Sequence, residues 1–144
     1  MLTQEEAERL MDMTKIIEKP QNVKFPFQGE HYDIKVLSAD GKEAFLLDVN
    51  RGRIKISKCT YQNRYRKDIV LLRLDIDGST HTNPDGGEMG GSHLHIYREG
   101  FGDRWAFPLP NDFSANMDLI TKFLEFLDYC KITNANDINL QGVM

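Results

Sequence analysis

The stretch Asp68-Ile69-Val70-Leu71-Leu72-Arg73-Leu74-Asp75-Ile76-Asp77 decides the fold. Strand side chains alternate between faces, so Val70, Leu72, Leu74 and Ile76 line one wholly apolar face while Ile69 and Leu71 add to the other. A strand apolar on one face and partly apolar on the second belongs in the interior of a sheet. Working outward, His31–Leu37, Glu43–Val49 and Arg53–Thr60 read as three preceding strands, separated by the turn signals Asp40-Gly41 and Asn50-Arg51-Gly52. Beyond a glycine-rich loop, His93–Glu99 and Arg104–Leu109 read as a fifth and a sixth, joined by Gly100-Phe101-Gly102-Asp103. Pro108 and Pro110 bound the last strand, as befits a sheet edge.

Helices are expected on both flanks. Thr3-x-x-Glu6 is a capping box, and Ala7, Leu10, Met11, Thr14 and Ile17 recur at helical spacing up to about Lys19, with Pro20 as the stop. From Asn111 to Cys130, Phe113, Met117, Ile120, Leu124 and Leu127 form a second stripe, widened by Leu119, Phe123 and Phe126. The expected fold is therefore α+β, one domain over residues 1–144: a single antiparallel meander of about six strands with an N-terminal and a C-terminal helix packed on it. The acidic start Met1-Leu2-Thr3-Gln4-Glu5-Glu6 lacks a basic region followed by an apolar run, and no stretch is apolar enough to span a bilayer. A cytoplasmic protein with no membrane partner is expected. Cys59 and Cys130 lie far apart and without metal-type spacing, so they read as small core hydrophobes.

Three of the chain's 4 histidines fall between His81 and His95, around Asn83-Pro84-Asp85-Gly86-Gly87-Glu88-Met89-Gly90-Gly91. A loop this long inside a compact domain is usually functional or disordered. Alternation places His93, His95 and Tyr97 on one strand face, the two imidazoles close enough to share a divalent metal ion, with Asp85, Glu88 or His81 each able to supply a third ligand or an acid/base group. The alternative is a pair of half-buried histidines hydrogen-bonded to their neighbours under a merely mobile loop. Gly87, His93, His95 and Glu99 meet the spacing of the first cupin motif, but the glycine and later histidine that should follow are missing. Tyr129, a tempting nucleophile for a His-hydrophobe-His nuclease, lacks the Tyr-x-x-Lys spacing. Without metal, His81, His93, His95 and Tyr97 could act as the catalytic groups of a ribonuclease-like hydrolase, one taking and another giving a proton.

Charge is segregated along the chain. Between Arg51 and Leu74, eight basic residues face one acid, a net +7 that leaves −11 for the rest of a chain whose total is −4. Arg51, Arg53, Lys55, Arg64, Arg66 and Lys67, with Tyr61 and Tyr65 among them, are the expected binding residues for a polyanion: cations for phosphates, aromatics for unpaired bases. The plainer reading is a solvated sheet face balanced by the acidic first helix.

Leu74-Asp75-Ile76-Asp77-Gly78, His81-Thr82-Asn83-Pro84-Asp85-Gly86, His93-Leu94-His95-Ile96-Tyr97-Arg98-Glu99-Gly100 and Trp105-Ala106-Phe107-Pro108-Leu109-Pro110 resemble a family of small uncharacterised bacterial and prophage proteins. That resemblance implies a phage or mobile-element setting, with toxin–antitoxin, defence or anti-defence roles, and no assigned activity. The functional expectation is an interaction protein acting on nucleic acid or a nucleoprotein complex. A hydrolase built on His81, His93 and His95 is the alternative.

Overall fold

The computed structural model describes residues 1–140; the last four residues of the expected domain lie outside them. In chain order the elements are α1 (Gln4–Asp12), β1 (Lys15–Ile17), a 3-10 turn (Pro20–Asn22), β2 (His31–Ser38), β3 (Ala44–Arg51), β4 (Cys59–Tyr65), β5 (Ile69–Ile76), β6 (His81–Thr82), β7 (Glu88–Met89), β8 (His93–Ile96), β9 (Ala106–Phe107), α2 (Leu119–Tyr129) and a second 3-10 turn (Ala135–Asp137). The class is α+β, as the patterning implies. The main sheet is antiparallel, with strand order β1-β2-β3-β4-β5-β8-β9, and β5 is interior, between β4 and β8. The meander has one insertion, because β6 and β7 form a separate small hairpin between β5 and β8. The short β9, next to Pro108, is one edge and β1 the other.

The extra strand comes from the N-terminal segment. The Thr3/Glu6 capping box is present, but α1 ends at Asp12, and Met13 is extended. Thr14, Ile16 and Ile17 are β-branched and lose side-chain freedom in a helix. Lys15–Ile17 instead pairs with Val36–Ser38, so Ile17, expected on the helix, is buried as a strand residue. The buried Lys15 joins this edge to the C-terminal region: its Nζ donates to the carbonyls of Met11, Met13 and Cys130. Burial lowers its pKa to about 8.

α2 is likewise shorter than its stripe. Asp118 caps it by accepting from the Thr121 amide, and the residues before it form a loop that keeps Phe113 buried but leaves Met117 exposed. Phe123, Phe126 and Leu127 face inward. Tyr61 packs against Phe123 and Phe126, with ring centroids 5.9 and 6.0 Å apart, and its hydroxyl donates to the Leu119 carbonyl. The buried side chains Ile34, Val36, Phe45, Leu47, Val49, Leu72, Leu74 and Leu94 belong to this same core. Both cysteines are buried free thiols, and burial raises them to about 11 (Cys59) and about 12 (Cys130).

The opposite face of the sheet is polar. Asp33, Asp48, Gln62, Arg73 and His95 are successive cross-strand partners, and so are His31, Asn50, Thr60, Asp75 and His93. Directly opposed residues share a face, so the histidines of β8 end two polar rows on the side away from α2.

Candidate functional site

Register brings the histidines to their partners. Arg73 pairs with His95 and Asp75 with His93 across β5 and β8. Asp75 Oδ2 lies 3.1 Å from His93 Nε2 and 3.3 Å from His95 Nε2. The Arg73 guanidinium covers this group: Nη2 is 3.0 Å from His95 Nε2, Nε is 3.3 Å from Asp75 Oδ1, and Nη1 donates to Asp103 Oδ2 at 2.7 Å. Both β8 histidines are tied from behind as well. His93 Nδ1 donates to the Gly90 carbonyl, and His95 Nδ1 donates to that of Asp103 at 2.7 Å. A ring nitrogen facing a carbonyl carries the proton, so in each neutral ring the Nε2 lone pair points toward Asp75.

The third histidine arrives on the β6–β7 hairpin. His81 Nε2 donates to the Arg104 carbonyl at 2.7 Å, and its ring centroid stands 4.5 Å from that of His95 and 5.8 Å from that of His93. Asn83, buried at the end of β6, docks the hairpin by imitating a strand partner. Its Nδ2 donates to the Ala106 carbonyl at 2.9 Å, and its Oδ1 accepts from the Ala106 amide at 2.8 Å. The Asn83–Gly86 turn closes with Gly86 at φ 89°, and the Gly78 amide donates to the Gly91 carbonyl at 2.6 Å. A Cβ at Gly91 would lie 2.8 Å from the Gly78 carbonyl oxygen, so this close approach needs glycine.

The cluster is closed. His93 is 1% and His95 0% exposed, while the Asp75 side chain is 19% exposed. Burial alone would raise the Asp75 carboxyl, but the contact with His95 and the charge of Arg73 outweigh it, leaving its pKa below the ordinary carboxylate value. Among the described residues, Asp75, His93 and His95 form the group able to hold a metal ion, with donor atoms all within 4.8 Å of one another.

Several expected site residues lie elsewhere. Asp85 and Glu88 are exposed on the hairpin, and Asp85 accepts from the Gly87 amide; the carboxylate beside the imidazoles is Asp75. Tyr97 does not join the histidines. Strand pairing ends at Ile96, the alternation lapses, and Tyr97 enters the core with its hydroxyl donating to the Leu2 carbonyl. Asp75, Arg73, Asp103 and Asn83 were not among the expected site residues. The first two were legible as charges at alternate positions of a strand otherwise apolar on both faces, but Asp103 and Asn83 carry no comparable signal.

The basic segment divides. Arg53–Lys58 is a loop, since β4 begins only at Cys59, where pairing with Arg51 starts. Tyr61 and Tyr65 are buried in the core and offer no surface for bases. Arg64 is committed to Asp48, with Nε 2.6 Å from Oδ2 and Nη2 2.7 Å from Oδ1. Arg51 donates to the carbonyls of Pro26 and Ile56, Lys55 pairs with Asp77 at 2.7 Å, and Arg73 belongs to the histidine cluster. Arg66 and Lys67 lie in the turn at the far end of β4, with Arg66 over the Tyr65 ring. Hydrogen bonds from Gln28 to the Arg53 carbonyl and from the Gly29 amide to that of Gly52 bring residues 26–29 against the loop. The resulting tip carries Ile54 (98% exposed), Ile56 (68%) and Phe27 (74%) beside Arg53, Lys55 and Lys58.

The model of a family of unknown function, DUF6978, matches residues 2–132. No curated protein and no solved structure matches the chain. No helix among the described residues is long and apolar enough to cross a membrane.

Proposed function

The chain belongs to DUF6978, a family of unknown function, and we propose that it is a small cytoplasmic interaction protein that holds nucleic acid, free or within a nucleoprotein complex. The observation that carries this reading is the tip between β3 and β4. Arg53 and Lys58 are exposed there, around an isoleucine that is 98% exposed. Cations take phosphates, and apolar side chains at such a tip suit contact with bases or wedging between base steps. Arg66 and Lys67 belong to the opposite end of β4 and are not part of this contact. A phage or mobile-element setting accords with the resemblance noted above.

The histidine cluster is the weaker basis for a function. Acid–base chemistry on a polymer needs a ring nitrogen within reach of the substrate. Those of His93 and His95 are buried and engaged by Gly90, Asp75, Asp103 and Arg73. Fluorescence anisotropy with labelled single-stranded and duplex oligonucleotides tests the proposal. Contact with three phosphates would weaken binding about 40-fold on duplex and about 20-fold on single strands between about 50 and about 200 mM salt. Arg53→Glu and Lys58→Glu should each weaken it at low salt, and Ile54→Ser should weaken it with the salt slope unchanged. Absence of binding to either oligonucleotide at low salt refutes the reading and leaves an acidic protein as the partner of this tip.

A further inference from the structure

We infer that Asp75, His93 and His95, closed over by His81, bind a divalent transition-metal ion in a four-coordinate site, with zinc as the ion the donor set selects. Asp75 Oδ2 lies 3.1 and 3.3 Å from the two Nε2 atoms. Ligand atoms about 2.0–2.1 Å from a tetrahedral zinc ion stand about 3.3 Å from one another. Both rings are oriented from behind by carbonyls that hold the proton on Nδ1, the outer-shell arrangement that fixes metal-binding histidines. Two imidazoles and one carboxylate favour zinc over the harder magnesium or calcium, which take all-oxygen sites.

His95 Nε2 receives the Arg73 Nη2 donor at 3.0 Å and therefore presents a lone pair. That lone pair lies 3.3 Å from a carboxylate oxygen, so two acceptors face one another where a cation is called for. Arg73 supplies the positive charge at their margin, anchored by Asp103. A metal ion would take the His95 lone pair from Arg73, which can keep its Asp103 partner. His81 spends Nε2 on the Arg104 carbonyl and stands outside the donor group; its ring, 4.5 Å from that of His95 on a hairpin held down by Asn83, covers the site, and a water takes the fourth position. The burial of His93 and His95 keeps a polymer out of this site, which is distinct from the loop proposed to hold nucleic acid.

The experiment is calorimetric titration of the chelator-stripped whole chain with zinc chloride, beside the visible spectrum of its cobalt(II) form. One ion per chain and an intense four-coordinate cobalt spectrum are expected. Asp75→Asn, close to isosteric, should lose at least about 100-fold in zinc affinity, while Arg73→Gln, which removes the competing donor and its charge, should bind more tightly. Circular dichroism of each variant checks that it remains folded. No zinc uptake by the wild-type chain overturns the assignment. So does uptake undiminished in folded Asp75→Asn, a weak six-coordinate cobalt spectrum, or looser binding in folded Arg73→Gln. His95→Gln stands in should Asp75→Asn fail to fold. Since oligonucleotide binding is read at another surface, failure of one proposal leaves the other standing.

Discussion

The histidine strand β8 and the loop between β3 and β4 are both rich in polar and charged side chains, yet they use them in opposite directions. In β8, His93 and His95 turn inward to Asp75 and Arg73, and each ring nitrogen meets a protein group. In the loop, Arg53 and Lys58 face solvent alongside Ile54 and Ile56. Buried polar groups without partners are costly, so the geometry of the first region is narrowly specified. An exposed loop has no such constraint, and its apolar tips are left for something outside the chain. Density of functional side chain types is thus a poor guide to accessibility; the register of the neighbouring strands decides it.

Substitution should separate the two regions sharply. Asp75→Ala leaves Arg73 and two imidazoles without their shared carboxylate, and unfolding in urea should show a loss of about 3 kcal/mol. A wild-type midpoint would mean that the cluster contributes nothing to stability. Acid should act through the same residue. The folded Asp75 carboxyl lies below its ordinary value, so its contribution is full above about pH 4, the unfolded carboxylate value, and is lost as pH falls through the lower folded value. Stability measured against pH should show that loss in the wild type and a shallower one in Asp75→Ala.

Asn83→Ala removes two hydrogen bonds to Ala106 and should cost about 1–2 kcal/mol. Amide exchange should speed up in β6 and β7 while β5 stays protected; unchanged exchange in the hairpin would show that Asn83 does not hold it. At the small end, Ile54→Ser and Ile56→Ser should alter stability by no more than about 0.5 kcal/mol. A larger loss would place these side chains in the fold and blur the contrast between the two regions.

Local patterning made much of this molecule legible. The alternation in Ile69–Ile76 marks an interior strand, the capping box starts α1, and the spacing of Phe123, Phe126 and Leu127 marks the buried side of α2. His93 and His95 were legible as a pair because adjacent alternate positions share a face. What failed lay at element ends, where the deciding energy is non-local. Ile17 satisfies a helical stripe and a strand equally, and pairing with Val36 chose the strand. Arg53–Lys58 has strand-like residues, but the ladder from β3 engages only from Cys59.

The sequence by itself therefore determined the class, the interior strand and the imidazole pair, because each depends on periodicity within a few residues. Only the tertiary structure decided that Asp75 rather than Asp85 or Glu88 completes the cluster, that Tyr61 and Tyr65 face the core, and that Arg64 is bound to Asp48. Those choices come from cross-strand register and the docking of a hairpin through one asparagine. Both join residues far apart in the chain, and neither leaves a periodic trace along it.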